Sequence, residues 1–478
     1  MARTGSRAKL SSSLKKLLGS SKVIDDEAIV RLYAREPSGV EASETPIAVV
    51  FPESVSDVSR LLAFAYKNDI KVFPQGSTTS LSGSAAPLEE GIVLSMERMS
   101  RIGEISVIDS YAIAEAGVRI DELNLVLAKH GYMFPVDPAS SSVATIGGAV
   151  NSGAGGMRGA KYGTMRDWVL GLRIVLADEN GTAMWIGCRT VKCRQGYDLV
   201  RLIVGSEGTL AVVTEAILRI TPLPENIVTV LAFFPRLEDL ASTVIEIKKA
   251  GVQPYIMEFL DEKTVKATIE FTKTSIPAEG NMLLVSVDVN REATDRVLEW
   301  LKDLMKENGA KSVYAARSLE EAEEKKLFEI RRSLFPAQNY LARVKLGIEN
   351  PMIYIEDIAV PPSRLVEAVE GLRSLEEKYG LYMLMGGHIG DGNLHPAVGF
   401  DPTDKVMARK VEEWYMDVMR LAIELGGTVS SEHGIGTLKK KGLAMELERL
   451  GSTKALELMK GIKKVFDPKG ILNPGKIF

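Results

Sequence analysis

Apolar and polar positions change rhythm along this 478-residue chain. Between about residues 46 and 221, short apolar runs alternate with glycine-rich loops. IAVVF, KVFPQG, GIVLS, YAIAEAG, GLRIVLA and LAVVTEAILRI have the β-branched content of strands. SVSDVSRLLAFAYKND sets Val58, Leu61, Leu62 and Ala65 on one helical face behind a serine-rich start, and RIDELNLVLAKHG also reads as a helix. An α/β domain is expected there. Pro222 and Pro224 in TPLPEN end a strand and mark a boundary. Beyond it, strands such as IVTVLAFF and NMLLVSVDV alternate with charged helices such as ATDRVLEWLKDLMKEN. That is the pattern of an α+β domain, an antiparallel sheet with helices on one face. Ahead of both, Leu10, Leu14, Leu17 and Leu18 keep helical spacing, as in an amphipathic helix docked on the first domain. The tail DPKGILNPGKIF is turn-rich and would lie against another domain. The expected parts are 1–45, 46–221, 222–425 and 426–478.

Composition narrows the function classes. The length exceeds one typical core, so two or three domains are expected. Hydrophobic content of 45% and charged content of 26% are ordinary for a globular protein. A net charge of −4 gives no electrostatic case for nucleic-acid binding. No apolar run is long enough to span a bilayer. Arg3, Arg7, Lys9, Lys15, Lys16 and Lys22 precede the first acid, Asp25, so a transit peptide or membrane-surface helix is the alternative for the N-terminus. Cys188 and Cys193 form neither a disulfide framework nor an iron–sulfur motif. A reducing, cytoplasmic setting is expected, with peripheral attachment to the inner face of the membrane left open.

Histidine is scarce, and three of the four lie in two short glycine-rich stretches. His388 and His395 fall in GGHIGDGNLH, and His433 falls in SEHGIG. Such concentration points to metal binding or proton transfer. Asp391-Gly392 has the composition of a two-residue hairpin turn. A turn centred there pairs His388 with His395 across strands, with Cβ atoms about 5 Å apart. Two imidazoles so held could share a metal, and Glu432 or His433 could complete an N/O site for zinc, manganese or iron. The alternative is a pair of hydrogen-bonded structural histidines.

Three loops of the first domain carry a second signal. Pro74-Gln75-Gly76-Ser77-Thr78-Thr79-Ser80-Leu81-Ser82-Gly83 follows a strand, and its small residues let backbone N–H groups turn inward as an anion nest. Asp137 to Gly156 is crowded with hydroxyl residues and glycines, and Gly205 to Leu210 forms the third loop. Together they could line a long, phosphate-bearing ligand such as a dinucleotide. Neither G-x-G-x-x-G with a following acid nor G-x-x-x-x-G-K-[ST] occurs, so a Rossmann nicotinamide site and a P-loop are not expected.

From about Asp25 to the end, the chain resembles the FAD-linked oxidoreductases of the vanillyl-alcohol oxidase/p-cresol methylhydroxylase type. It is most similar to their D-2-hydroxy-acid members: the glycolate oxidase FAD subunit, D-lactate dehydrogenase and D-2-hydroxyglutarate dehydrogenase. The resemblance rests on PQGSTTSLSG, DPASSSVATIGGAVNSGAGG, KYGTMRDWVLGLRIVLADENG, GYDLVRLIVGSEGTLAVVTEAILRITP, EDIAVPPSRL, GHIGDGNLHPAVGFD, SSEHGIGTLKK and DPKGILNPGKIF, in that order. It implies a two-part FAD-binding domain of p-cresol methylhydroxylase type, a cap domain, and a last segment returning to the flavin domain. It also implies that Pro74, Gly76, Ser77, Thr78, Thr79, Ser80 and Leu81 wrap the pyrophosphate. Pro138, Ser142, Thr145, Gly148, Asn151, Gly155, Gly156, Tyr162 and Gly163 would follow the cofactor toward the flavin. Glu207 and Gly208 would sit by the adenosine end, Val213 would also touch the cofactor, and Asn473 would lie near the flavin. The first loop lacks the histidine that anchors FAD covalently in some relatives, so FAD is expected to be non-covalent. VKCRQGYDL departs from the asparagine and alanine or threonine usual before GYDL.

The same resemblance implies a divalent metal on His388, His395 and Glu432, with His433 as catalytic base. Arg331 would bind the substrate carboxylate, with Arg332 as the fallback. The implied reaction takes a D-2-hydroxy acid to a 2-oxo acid by hydride transfer to flavin N5. Relatives acting on 2-hydroxyglutarate place a lysine where Ile355-Glu356 stand, which favours D-lactate or glycolate here. An iron–sulfur protein, an electron-transfer flavoprotein or a quinone is the expected acceptor, and a homodimer is left open. The rival readings are a D-2-hydroxyglutarate dehydrogenase, a flavin oxidase using oxygen, an electron-relay subunit and a metallohydrolase. The last gives the three glycine-rich loops no purpose.

Overall fold

Gly91–Ser95 is buried at every position because it forms an interior strand of a small sheet in the computed structural model. The order is Val23–Ile24, Ala48–Val50, Gly91–Ser95, Lys71–Gln75. The last three run parallel, and Val23–Ile24 runs antiparallel to its neighbour. Parallel neighbours need a crossover. Helix Val55–Asn68, capped by the Ser54 hydroxyl and ended by Asp69 at φ 52°, crosses from Ala48–Val50 to Lys71–Gln75, the two strands that flank Gly91–Ser95. Its buried Val58, Leu61, Leu62 and Ala65 share a core with Leu14 and Leu18 of helix Ala2–Leu18. The outer side of Lys71–Gln75 is paired by the tail: the Val72 N–H donates to Ile471 O at 2.8 Å, and Asn473 N–H to Val72 O at 2.9 Å.

A second, antiparallel sheet has the order Ile102–Ser106, Tyr111–Glu115, Val212–Arg219, Val169–Val175, Ala183–Gly187. These two sheets belong to the first of two compact units, made of Met1–Gly155, Thr164–Leu223 and Glu432–Phe478. The second unit is Gly156–Gly163 with Pro224–Ser431. The structure describes residues 2–40, 42, 44–277 and 279–478, with residues 2–6 described by backbone alone.

The second unit is built on an antiparallel sheet. Its order is Ser312–Ala316, Asn226–Phe234, Asn281–Val289, Ile256–Leu260, Met383–Gly387, Asn393–Phe400, Met352–Ile355, and Ile358–Ala359 also pairs with Asn393–Phe400. Ile256–Leu260, Met383–Gly387 and Asn393–Phe400 are buried at successive positions, so both faces of this middle region are covered. Helix Thr294–Glu307 buries Leu298, Leu301 and Met305, one stripe at helical spacing.

The cysteines depart from expectation. Cys188 and Cys193 are bonded to each other, with Cα atoms 6.0 Å apart, a separation a disulfide requires. Counting cysteines excluded a framework of several bridges and said nothing against one local bridge. The reducing setting inferred from unpaired thiols loses that support. Among the described residues, no helix is long and apolar enough to cross a membrane.

Candidate active site

In the first unit the strand Lys71–Gln75 delivers its loop to the rim of an open cleft of about 1260 Å³, part of it solvent. Small residues are required there. A Cβ on Gly76 would lie 2.3 Å from the Thr145 Oγ1. Thr145 in turn caps helix Ile146–Ser152, its hydroxyl accepting the Gly148 N–H at 3.2 Å. Among the described residues, no acceptor takes the backbone N–H groups of Ser77, Thr78, Thr79, Ser80 or Leu81. Five successive amides without a protein acceptor, in a loop that lines the cleft, suit the phosphates of a dinucleotide without any cationic side chain.

Pro74, Gly76, Ser77, Thr78, Thr79, Ser80 and Leu81 all line the cleft. So do Pro138, Thr145, Gly148, Asn151 and Gly155, and from the third loop Glu207, Gly208 and Val213. Glu432 and His433 line it as well. Gly155 has no room for a Cβ, which would lie 2.7 Å from the Glu432 Oε2. Ser142 is exposed and outside the lining. Gly156, Tyr162 and Gly163 belong to the second unit, where the Tyr162 ring meets Tyr255 edge-on at 6.0 Å and burial pushes its phenol pKa up. Asn473 is buried behind the lining. Its amide donates to Ser84 O at 2.9 Å and Glu207 O at 2.6 Å, tying the tail to two loops.

Behind this cleft lies a buried charge cluster that the sequence reading missed. The Glu207 carboxylate accepts the N–H groups of Ile435 at 2.7 Å and Gly436 at 2.9 Å. Burial pushes its pKa up to about 7, against the pull of those amides. Glu36 accepts the amides of Gly83 and Ala85, and burial raises it also. Lys476 donates to Gly83 O and Ala86 O, and burial lowers it to about 8. These groups fix the segment that carries His433.

The second unit holds the other candidates. The expected two-residue turn is absent. Gly386 pairs with His395 and Met385 with Pro396, so the register is displaced by two residues. Residues 388–392 form a wider loop in which the His388 carbonyl accepts the N–H groups of Asp391 and Asn393, both at 3.2 Å. Gly392 takes φ 88° and abuts Val360 O, leaving no space for a side chain. A shift of two keeps the same face. The imidazoles therefore still meet, with ring centroids 5.2 Å apart and planes at 82°.

Buried carboxylates surround them. Glu258, on strand Ile256–Leu260, is wholly buried; its Oε1 meets His388 Nδ1 at 2.7 Å and its Oε2 accepts Arg331 Nε–H at 2.5 Å. Arg332 is instead exposed and paired with Glu323, at 2.7 Å. Asp357 accepts the Asn393 amide at 2.8 Å, the Ser431 N–H at 2.9 Å and the Ser430 hydroxyl at 3.1 Å. The Glu356 carbonyl lies 3.3 Å from His395 Nδ1. Glu258, Glu356 and Asp357 are all at 0% exposure; the Glu258 carboxylate meets His388 and Arg331, and that of Asp357 lies 3.9 Å from His395 Nδ1. That N/O donor set, rich in negative charge, suits a borderline divalent cation. A lone carboxylate inside an apolar run, as in IMEFL, was the available signal for Glu258.

Residues 46–187 match the family described as FAD binding domain. Residues 223–477, more than half of the chain, match FAD linked oxidases, C-terminal domain. The chain belongs to the FAD-linked oxidases. It is 37% identical to the glycolate oxidase subunit GlcD of Bacillus subtilis over 95% of this chain and 93% of that one. It is also 37% identical to the D-lactate dehydrogenase of Archaeoglobus fulgidus, over 90% of each. In fold, this FAD-linked oxidase is similar to p-cresol methylhydroxylase (TM-score 0.81, 18% identity, 99% and 97% covered). It is also similar to 4-ethylphenol oxidase from Gulosibacter chungangensis (TM-score 0.78, 19% identity, 98% and 96% covered).

Proposed function

We propose that this FAD-linked oxidoreductase is a dehydrogenase oxidising a D-2-hydroxy acid, D-lactate or glycolate, to its 2-oxo acid. The observation that carries the reading is the group of Arg331, Glu258 and His388: a half-buried guanidinium held by a wholly buried carboxylate that also holds an imidazole, the carboxylate standing in the otherwise apolar strand Ile256–Leu260. The names of the relatives, a glycolate oxidase subunit and a D-lactate dehydrogenase, support the same substrate class.

Arg331 binds the substrate carboxylate through its two terminal nitrogens, a fork that matches a carboxylate bidentately. His433, which lines the cleft, takes the hydroxyl proton on a ring nitrogen. Residues 46–221 bind FAD and 426–478 complete that domain, while 1–45 pack on it and 222–425 shape the substrate side. The loop amides from Gly76 to Leu81 cradle the FAD phosphates non-covalently, and bound FAD supplies the hydride acceptor. His388, His395 and Glu432 hold a divalent metal (zinc, manganese or iron), which when bound makes a substrate hydroxyl more acidic. Ile355 and Glu356 stand where relatives acting on 2-hydroxyglutarate carry a lysine, which supports lactate or glycolate over hydroxyglutarate. Electrons leave to an iron–sulfur protein, an electron-transfer flavoprotein or a quinone.

Anaerobic flavin bleaching tests the reading. D-Lactate or glycolate should bleach the metal-replete enzyme, while L-lactate and D-2-hydroxyglutarate should not. Chelation should abolish bleaching, and His433→Ala should slow it about 10²- to 10⁴-fold, the range of a general base. A bound flavin that no hydroxy acid reduces overturns the proposal.

A further inference from the structure

We infer that Glu258 is a positioning residue that sets the ring of His388 and the guanidinium of Arg331 together. The inference rests on the function proposed above. Its starting point is an oddity of the strand: Ile256, Met257, Phe259 and Leu260 are apolar, and all five positions are buried. A carboxylate in such a strand adds little stability even when paired, because an apolar residue of similar volume serves as well. Its reason is therefore to be sought in what it holds.

Backbone register explains how it reaches. Phe259 pairs with Gly387 and Leu260 with Gly386, and one further step sets Glu258 opposite His388 on the same face. The two oxygens are divided between two partners, Oε1 with His388 Nδ1 and Oε2 with Arg331 Nε. A carboxylate paired with a guanidinium only accepts hydrogen bonds. The proton on His388 therefore sits on Nδ1, which makes Nε2 the lone-pair nitrogen, the one able to bind a metal. Holding Arg331 by Nε leaves its terminal-nitrogen edge directed away from Glu258, toward a second anion. One side chain thus fixes both the tautomer of the imidazole and the plane of the arginine.

The first measurement is made on the wild-type, FAD-loaded protein after chelation. Nitrogen-15 spectra of histidine-labelled protein, with His388 assigned through His388→Gln, should show the Nδ1–H tautomer; an Nε2–H tautomer overturns the inference. In Glu258→Gln the amide cannot accept from both partners. Its dissociation constant for zinc should rise 10- to 100-fold, as for a lost second partner of a metal-bound histidine. The KM for the hydroxy acid should rise more than kcat falls, with FAD content unchanged, and Glu258→Asp should recover part of both. Zinc affinity and KM equal to wild type in Glu258→Gln overturn the inference. If no hydroxy acid bleaches the wild-type flavin, the function proposal fails alone, since tautomer and zinc affinity still decide the role of Glu258. If Glu258→Gln does not fold, the wild-type tautomer decides.

Discussion

At the scale of single residues, charge and shape have been separated between neighbours. Arg331 and Arg332 are adjacent in sequence, yet one is half-buried and held by the interior Glu258 and the other lies on the surface against Glu323. Adjacent helical positions point in different directions, so a double arginine offers one residue to each environment. Lysine could keep the charge at position 331 but has neither the planar fork nor the Nε–H. Arg331→Lys should raise the KM for the hydroxy acid about 10- to 100-fold, in line with losing a charge-assisted hydrogen bond. Steady-state kinetics with an artificial acceptor check this; an unchanged KM would remove Arg331 from substrate binding.

At the scale of elements, strand and helix positions were legible because burial follows period. GIVLS, NMLLVSVDV and the helix through Val58 and Leu62 occur where their patterns place them. The loop between His388 and His395 was not legible. Asp391-Gly392 has the composition of a tight turn, but the chain follows a wider path in which Gly392 passes under Val360 O. Long-range packing chose the register, and local turn chemistry could not reveal it. In the same way the acids Glu36, Glu258 and Asp357 come from distant segments, and no spacing rule joins them to the histidines. Gly392→Ala tests the loop: positive φ alone costs about 1–3 kcal/mol, and the contact with Val360 O adds to it. Calorimetry should find a lower melting temperature, and the protein should retain less zinc after dialysis. A variant that melts and binds as wild type would show that the loop tolerates another path.

At the scale of the whole molecule, buried ionisable groups make stability depend on pH. The Glu207 pKa rises from 4.5 to about 7 on folding, chiefly through burial. The folded form therefore holds its proton longer than the unfolded chain. That contribution is present below about pH 4.5 and is lost as pH rises through about 7. Its size is on the order of 3 kcal/mol, at about 1.4 kcal/mol per pKa unit. Lys476 acts in the opposite sense: its pKa falls from 10.5 to about 8, so its contribution is present above pH 10.5 and is lost as pH falls through about 8. Thermal melts of the FAD-free protein should therefore fall from pH 5 to pH 7.5 more steeply for wild type than for Glu207→Gln. Identical slopes would mean that Glu207 is not protonated in the fold.

The pairing of the strand Lys71–Gln75 with the tail also concerns how the molecule is made. Lys71 bonds Gly470, 399 positions later, and the same stretch of tail supplies the partners of Val72. While a ribosome is still producing the residues between them, this strand has one side unpaired. An unpaired strand edge is a template for association with other chains. Slow translation of the second half should thus increase aggregation of nascent chains, and a chaperone that shields the edge of Lys71–Gln75 should reduce it.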